Sequence, residues 1–162
     1  MKVAKTGYPG NLCRIYENIS SLNLEEALKK ITESVARCLG AKASSIRLLD
    51  KSGKVLEIAA TYGLSQKYLS KGPVEVKKNP LDKEALQGKA ATVLDITKDK
   101  RVQYPRQARE EGLRSVLCVP LGAGNKTIGV LRVYSSKPRA FTKEEIDYLF
   151  TLAGQGAVVI GN

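Results

Sequence analysis

Residues 114–135 read RSVLCVPLGAGNKTIGVLRVYS, and this stretch decides the fold. Two segments, Arg114–Leu121 and Lys126–Ser135, are rich in Val, Leu and Ile and flank a short loop that contains two glycines. Such a pair of segments is typical of a β-hairpin, because β-branched and large apolar side chains favour strands while glycine favours the turn between them. The stretch therefore predicts two neighbouring antiparallel strands.

A second hairpin precedes this one in the chain. Residues 44–50 and 54–62 have strand character, and Gly53 ends the turn between them, where a positive φ is expected. Residues 63–112 are polar and turn-rich, and we call the part 64–112 the lid. Its predicted elements are Lys83–Gln87, Ala91–Leu94 and Pro105–Glu111, a strand between two short helices. A mostly irregular segment of this length usually has a function, such as covering a pocket.

Amphipathic helices are predicted at both ends. The first covers residues 24–39, with Asn23 as its N-cap, and the second begins after Thr142, which forms a capping box with Glu145. The two apolar stripes consist of Leu24, Leu28, Ile31, Val35 and Leu39, and of Ile146, Leu149, Phe150, Ala153, Ala157 and Ile160. The element order predicts a three-layer α+β domain, with both helices on one face of an antiparallel sheet and the lid on the other.

The totals limit the possible functions. A chain of 162 residues suits one domain, which we assign to residues 23–160, after a loose leader at 1–22 with a short helix near Leu12–Ile19. Histidine is absent, so the commonest general base, metal ligand and haem ligand are missing. Three cysteines without a CxxC spacing indicate reduced thiols in the cytoplasm. We therefore expect no enzyme activity, no metal and no cofactor.

The charge balance favours anionic partners. Lysine and arginine exceed aspartate and glutamate to give a formal charge of +11, which attracts phosphorylated metabolites, nucleotides or acidic proteins. The basic residues are scattered, so nucleic-acid binding is not expected. No apolar run in the sequence is long enough to cross a membrane.

Six short motifs stand in order on the predicted elements: LD at 49–50, TYGL at 61–64, VLDITKDKR at 93–101, SVLCVPL at 115–121, IGVL at 128–131 and FTKEEI at 141–146. Together they resemble the GAF domain family over residues 23–160. The resemblance implies a profilin-like or PAS-like fold. It also implies a sensory or regulatory role, with a small-molecule ligand and an output domain such as a histidine kinase.

Alternation along the strands identifies the face of the sheet that is turned toward the lid. Two arginines fall on that face, and covering them is costly unless they meet anions. Together with three other residues of that face and two lid residues, they give a candidate binding site formed by Ser45, Arg47, Tyr104, Arg109, Cys118, Arg132 and Tyr134. The hypothesis is a small anionic ligand, with an aromatic ring stacked on tyrosine.

The alternative needs no ligand. Carboxylates of the chain itself would then neutralise the two arginines, the candidates being Asp95, Asp99 and Glu57. Cys118 is expected to be a small buried apolar residue rather than a reactive thiol.

The family resemblance also excludes some of the family's ligands. Members that bind cyclic nucleotides carry Asn-Lys just after the Gly-Val-Leu strand, whereas residues 134–137 read YSSK here. Bilin-binding and haem-binding members need a histidine. A free methionine sulfoxide reductase needs two neighbouring cysteines, but Cys38 and Cys118 are predicted on opposite faces of the sheet.

We therefore expect a cytoplasmic sensory module that binds an unknown small molecule and forms a homodimer through its terminal helices. The alternatives are a structural dimerisation module without a ligand, or an enzyme that resembles free methionine sulfoxide reductase.

Overall fold

The computed structural model describes residues 23–123 and 126–161. Within these ranges the helices and strands are, in chain order, α1 (Leu24–Cys38), β1 (Ala43–Leu49), β2 (Val55–Tyr62), α2 (Gln66–Leu69), β3 (Val74–Glu75), α3 (Pro80–Leu86), β4 (Ala91–Val93), α4 (Pro105–Glu110), β5 (Ser115–Ala123), β6 (Lys126–Ser135) and α5 (Lys143–Gly161). The predicted leader with its short helix lies outside the described residues, as does part of the loop 122–125.

One six-stranded antiparallel sheet forms the middle layer, with the strand order β3-β2-β1-β6-β5-β4. Both predicted hairpins are confirmed, and pairing of β1 with β6 joins them at the centre. The lid contributes the two edge strands. The strand β4 was expected, but β3 was not, because it has only two residues, which pair with Val55 and Leu56.

The helices α1 and α5 pack on one face of the sheet, as expected. Their buried side chains meet those of alternate strand residues, among them Ile46, Leu117 and Leu131, in one hydrophobic core. On α5 the buried residues form two adjacent rows in which the members are four positions apart. One row is Tyr148, Leu152 and Gly156, and the other is Leu149, Ala153 and Ala157. Ile146, Phe150 and Ile160, which were expected in the stripe, are only partly buried at its border. Leu24 departs further from the expectation, since it is 47% exposed at the first position of α1.

Local signals at the helix ends behave as predicted. The Asn23 side chain accepts a hydrogen bond from the Glu26 amide at 2.9 Å. Thr142 and Glu145 form a reciprocal capping box, with distances of 2.9 and 3.1 Å. On the face of the sheet that α1 and α5 cover, the buried Ser44 hydroxyl donates a hydrogen bond to the main-chain oxygen of Thr32. This bond connects β1 to α1.

The lid covers the opposite face of the sheet. Its helices and turns bury a second apolar cluster against the sheet, which includes Leu81, Ala85 and Ile96 from the lid and Val116 and Val130 from the strands. The domain is therefore an α+β sandwich with the sheet between two different coverings. Among the helices of residues 23–123 and 126–161, none combines the length and the apolar character needed to span a membrane.

Candidate functional site

The central feature of the lid-facing surface is a row of side chains that runs across three strands. Arg132 on β6 lies between Ser45 on β1 and Cys118 on β5, because these residues are paired in the sheet register. Arg47 and Tyr134 stand two residues away along β1 and β6, on the same face. All five are buried, with exposed fractions between 0% and 6%. The alternation of side chains along the strands therefore predicted correctly that these five candidate residues lie together.

Arg132 is held by a carboxylate from the lid. Its Nε donates to Oδ1 of Asp82 at 2.9 Å, and its Nη2 donates to Oδ2 of the same side chain. Its Nη1 donates to the hydroxyl of Tyr134 at 3.0 Å. Burial lowers the pKa of Arg132, but the neighbouring groups together, foremost the Asp82 carboxylate, outweigh it and raise that pKa well above its usual value. The guanidinium and the carboxylate of this buried pair therefore neutralise each other.

Cys118 lies beside the same carboxylate. Its Sγ donates to Oδ1 of Asp82 at 3.4 Å, and the side chain is fully buried. Burial raises the pKa of the Cys118 thiol, and the charge of Asp82 raises it further. A neutral thiol in this position is a poor nucleophile, because the thiolate is the reactive form.

Arg47 differs from Arg132 in its partners. Its Nη1 donates to the main-chain oxygen of Leu56 at 3.2 Å, while its buried Nε has no hydrogen-bond partner among the described residues. No carboxylate of the described chain forms an ion pair with it. Burial, only partly offset by nearby groups, lowers the pKa of Arg47, and the positive charge of Arg132 adds to this lowering. A buried cation without an anionic partner is therefore present on the sheet.

The lid places a third cation above these arginines. Lys71 follows α2, and its Nζ is buried without a hydrogen-bond partner in the described part of the chain. That nitrogen lies 4.1 Å from the centre of the Tyr68 ring and 5.5 Å from the centre of the Tyr104 ring. The hydroxyl of Tyr104 donates to the main-chain oxygen of Pro73 at 2.6 Å. Tyr104 thus belongs to the rim of the site, as predicted, through its ring.

Arg109 does not join the site. Ala108 is the buried residue of α4, and Arg109, about 100° further around the helix, is exposed to solvent. The predicted internal carboxylates are also elsewhere. Asp95 binds Arg114 and Asp99 binds Arg101, while Glu57 is exposed. The prediction of internal pairing was thus correct for one arginine but named the wrong carboxylates.

Three residues of the site were missed: Tyr68, Lys71 and Asp82. The helix α3 begins at Pro80, three residues before the predicted start, because proline suits the first turn of a helix. Asp82 consequently lies inside a helix, next to the buried Leu81 and three residues before the buried Ala85. A carboxylate on the apolar side of a short helix was the available signal for a buried partner. Tyr68 and Lys71 belong to a part of the lid in which no helix or strand was predicted.

Two clefts lie away from this site. The larger, of about 620 Å³, is lined by residues of the β1–β2 turn, β3 and α3, including Lys54, Lys77 and Lys83. The other, of about 400 Å³, lies between α5 and the β5–β6 hairpin. Neither contains a predicted site residue. Within residues 23–123 and 126–161, no group of three His, Cys, Asp or Glu side chains is arranged to hold a metal ion.

Comparisons with known proteins agree with this architecture. A family model described as the GAF domain matches residues 21–161. The GAF domain of an Acinetobacter phosphoenolpyruvate-protein phosphotransferase is 24% identical, with a TM-score of 0.76, 93% of this chain and 90% of that chain covered. The corresponding domain from Coxiella burnetii is 22% identical, with a TM-score of 0.82 and coverages of 99% and 94%.

A segment of a methyl-accepting chemotaxis protein also has this fold. It is 21% identical, with a TM-score of 0.74, and the match covers 91% of this chain and 94% of that one. No curated protein matches the sequence. At these identities the solved structures establish the fold.

Proposed function

The chain belongs to the GAF domain family, and we propose that it is a sensory or regulatory domain that binds a small anionic ligand between the lid and the sheet. The observation that carries this proposal is the environment of Arg47. This residue is 4% exposed, lies near the already paired Arg132 and has no carboxylate partner among the described residues. An anion bound there would supply the missing charge and accept the unused Nε–H.

The two arginines differ in how their buried charges are paired and hydrogen-bonded. Burying a charge is costly unless it is paired and hydrogen-bonded. Asp82 meets this need for Arg132, whereas Arg47 has one main-chain acceptor, at 3.2 Å. The buried hydroxyl of Ser45, also without a hydrogen-bond partner in the described residues, provides a further polar group on the same strand. An anion near β1 would satisfy both side chains.

We propose that the signal leaves through the opposite face of the same strand. Ile46 is the neighbour of Arg47 in the chain and packs in the core beneath α1 and α5. A ligand that moves Arg47 therefore acts on residues in contact with the terminal helices. To switch such an equilibrium nearly completely, a ligand needs about 5.5 kcal/mol of preference for one state.

The proposed output is a change in how two copies pair through α1 and α5, transmitted to an output domain such as a histidine kinase. Leu24 and Val158 support this arrangement, because they expose 47% and 49% of their surface on those two helices. Apolar side chains of terminal helices are suited to pairing across a two-fold axis. We place the domain in the cytoplasm, where its thiols stay reduced.

The test is thermal unfolding with a panel of organic acids, amino acids and nucleotides. A ligand at a hundredfold excess over its Kd stabilises the folded state by about 2.7 kcal/mol. We expect stabilisation by at least one anion, and loss of that stabilisation in Arg47→Met. The matched control is Arg37→Met, because Arg37 is exposed on α1, where it pairs with Glu33 and lies 5.8 Å from the centre of the Tyr62 ring. Equal stabilisation of both variants would place the ligand elsewhere.

A structural dimerisation module is the second candidate. It is favoured by the closed Arg132–Asp82 pair and by the apolar packing of the lid against the sheet. This function predicts that no compound in the panel stabilises the protein. It also predicts that Val158→Glu abolishes a dimer seen by sedimentation, since a buried unpaired charge is costly.

We further propose that the domain binds without catalysis. The Cys118 thiol is buried beneath the lid, while Cys38 on α1 packs against the core on the other face of the sheet. Two cysteines so placed cannot exchange a disulfide without large rearrangement. Loss of free methionine sulfoxide during incubation with a thiol reductant would contradict this. Nucleic acid as the partner would show an affinity that falls steeply with salt.

A further inference from the structure

Lys71 is a basic group of the lid that lies near the arginines of the sheet. It stands between α2 and β3, and its buried Nζ has no hydrogen-bond acceptor within the described residues. The rings of Tyr68 and Tyr104 approach it at 4.1 and 5.5 Å. Aromatic faces stabilise a cation by electrostatic attraction but supply no counter-charge. Lys71 is therefore positioned without an anion.

The positive side chains of the site outnumber its negative ones. Arg132 and Asp82 neutralise each other through two hydrogen bonds. Arg47 on the sheet and Lys71 on the lid remain, and no ion pair joins either of them to a carboxylate of the described chain. Glu111 acts on Lys71 only at a distance. With Lys71 protonated, the site thus carries two uncompensated positive charges, one on the sheet and one on the lid.

The protonation of Lys71 depends on the groups that face it. Burial lowers the pKa of Lys71 to about 7, and the charges of Arg47 and Arg132 contribute to the lowering, against the opposing effects of Asp82 and Glu111. The amine is therefore partly neutral near pH 7. An anion bound beside it favours the protonated form and draws in a proton.

The carboxylate of Glu111 is engaged at the other end of this lid segment. Its oxygens accept hydrogen bonds from the amide and the hydroxyl of Ser65, at 2.7 and 2.6 Å. These bonds hold the start of α2 against the end of α4.

Building on the proposed anion site at Arg47, we infer that the ligand is a dianion, either a phosphomonoester or a dicarboxylate. Arg47 holds one of its charges, Lys71 holds the other, and one proton is taken up by Lys71 on binding. A ligand of this kind bridges the sheet and the lid. Its binding consequently fixes the segment between α2 and β3, which the hydrogen bond from Tyr104 to Pro73 holds at its far end.

The experiment is calorimetric titration with matched pairs of anions. The pairs are methyl phosphate against dimethyl phosphate and malonate against malonamate, so that each dianion has a monoanionic counterpart of similar size. Measurements at about pH 8 in two buffers of different ionisation enthalpy give the number of protons taken up. We expect at least one dianion to bind about tenfold or more tightly than its counterpart, with uptake approaching one proton.

Variants at position 71 distinguish the contribution of a positive charge to affinity from the uptake of a proton on binding. Lys71→Met should reduce the affinity for the dianion to that for the monoanion and abolish proton uptake. Lys71→Arg should keep the affinity within a few-fold while abolishing the uptake, because arginine stays protonated. Lys67→Met is the control, since Lys67 lies on α2 with 86% of its side chain exposed. It should leave both quantities unchanged.

The outcomes distinguish the two proposals. If wild-type protein binds none of the four anions, the inference and the anion site at Arg47 both fail. If it binds monoanions and dianions equally, or if Lys71→Met retains the preference, the anion site stands and the assignment of a dianion to Lys71 is wrong. Proton uptake that persists in Lys71→Arg would also contradict the inference, because the proton would then go elsewhere.

Discussion

Asp82 on α3 accepts two hydrogen bonds from the guanidinium of Arg132 on β6, and the two residues are 50 positions apart in the chain. This pair is the polar connection between the lid and the centre of the sheet. It also divides the site, because it leaves Arg132 satisfied while Arg47, on the neighbouring strand, is not. The lid is therefore anchored by an internal carboxylate next to a cation that still lacks one.

Removing the carboxylate should be strongly destabilising. Breaking one partner out of a buried ion pair typically costs about 3–5 kcal/mol, since the remaining charge is left uncompensated. We expect Asp82→Asn to lower the free energy of unfolding by about this amount in chemical denaturation. Glu33→Gln removes a carboxylate from an exposed pair on α1 and should cost less than about 0.5 kcal/mol. Similar losses in both variants would show that the buried pair has no special role.

Lys71 should give the domain a specific pH dependence of stability. Its pKa is lowered to about 7 in the folded protein from an ordinary value of 10.5. Between these values the unfolded chain binds more protons, so this group makes stability rise with pH. Its destabilising effect is fully present below pH 7 and is relieved as pH rises toward 10.5. Lys71→Met lacks this penalty, so the gap between its curve of unfolding free energy and that of the wild type should narrow as pH rises over this range, and parallel curves would refute the prediction.

Gly72 and Tyr104 should be energetically coupled. Gly72 has a φ of 137°, and a Cβ at this position would lie 2.6 Å from the Tyr104 hydroxyl oxygen. Gly72→Ala should therefore cost about 1–3 kcal/mol for the backbone conformation, and more for the contact. In a Tyr104→Phe background the hydroxyl contact disappears while the ring carbon Cζ stays at 3.3 Å, so the cost of Gly72→Ala should be smaller there. A cost that is the same in both backgrounds would mean that the hydroxyl moves aside freely.

Two glycines should respond in opposite directions to alanine. A Cβ at Gly129 on β6 would overlap the main-chain oxygen of Arg47 on β1, so Gly129→Ala should cost about 3 kcal/mol or more. At Gly154 on α5 a Cβ would meet no atom within 4 Å, and alanine favours helices. Gly154→Ala should stabilise by about 0.5–1 kcal/mol. Thermal unfolding of both variants checks the pair, and destabilisation by Gly154→Ala would contradict it.

The central strands and terminal helices were predictable because each has a strong local signal. Strand alternation sorts Leu131 and Arg132 onto opposite faces without any tertiary knowledge, and the Thr142–Glu145 capping box marks the start of α5. The two-residue strand β3 carries no such signal. Its position depends on pairing with β2, which is a long-range contact.

The site was predictable mainly on the side formed by the sheet, since Tyr104 was the lid residue correctly assigned to it. Ser45, Arg47, Cys118, Arg132 and Tyr134 follow from strand parity, which is a local rule. The lid residues do not follow from a period, because its helices have four to seven residues and show less than two full turns of pattern. The partner of Arg132 was consequently assigned to the wrong carboxylates.

The hydrogen bond from Ser44 to the main chain of Thr32 has a mechanical consequence. It attaches α1 to the sheet at one buried point, near the middle of the helix, where water cannot replace it. A slide of α1 along the sheet would break this bond, whereas a tilt about Thr32 would preserve it. Such a tilt would move the two ends of α1 in opposite directions.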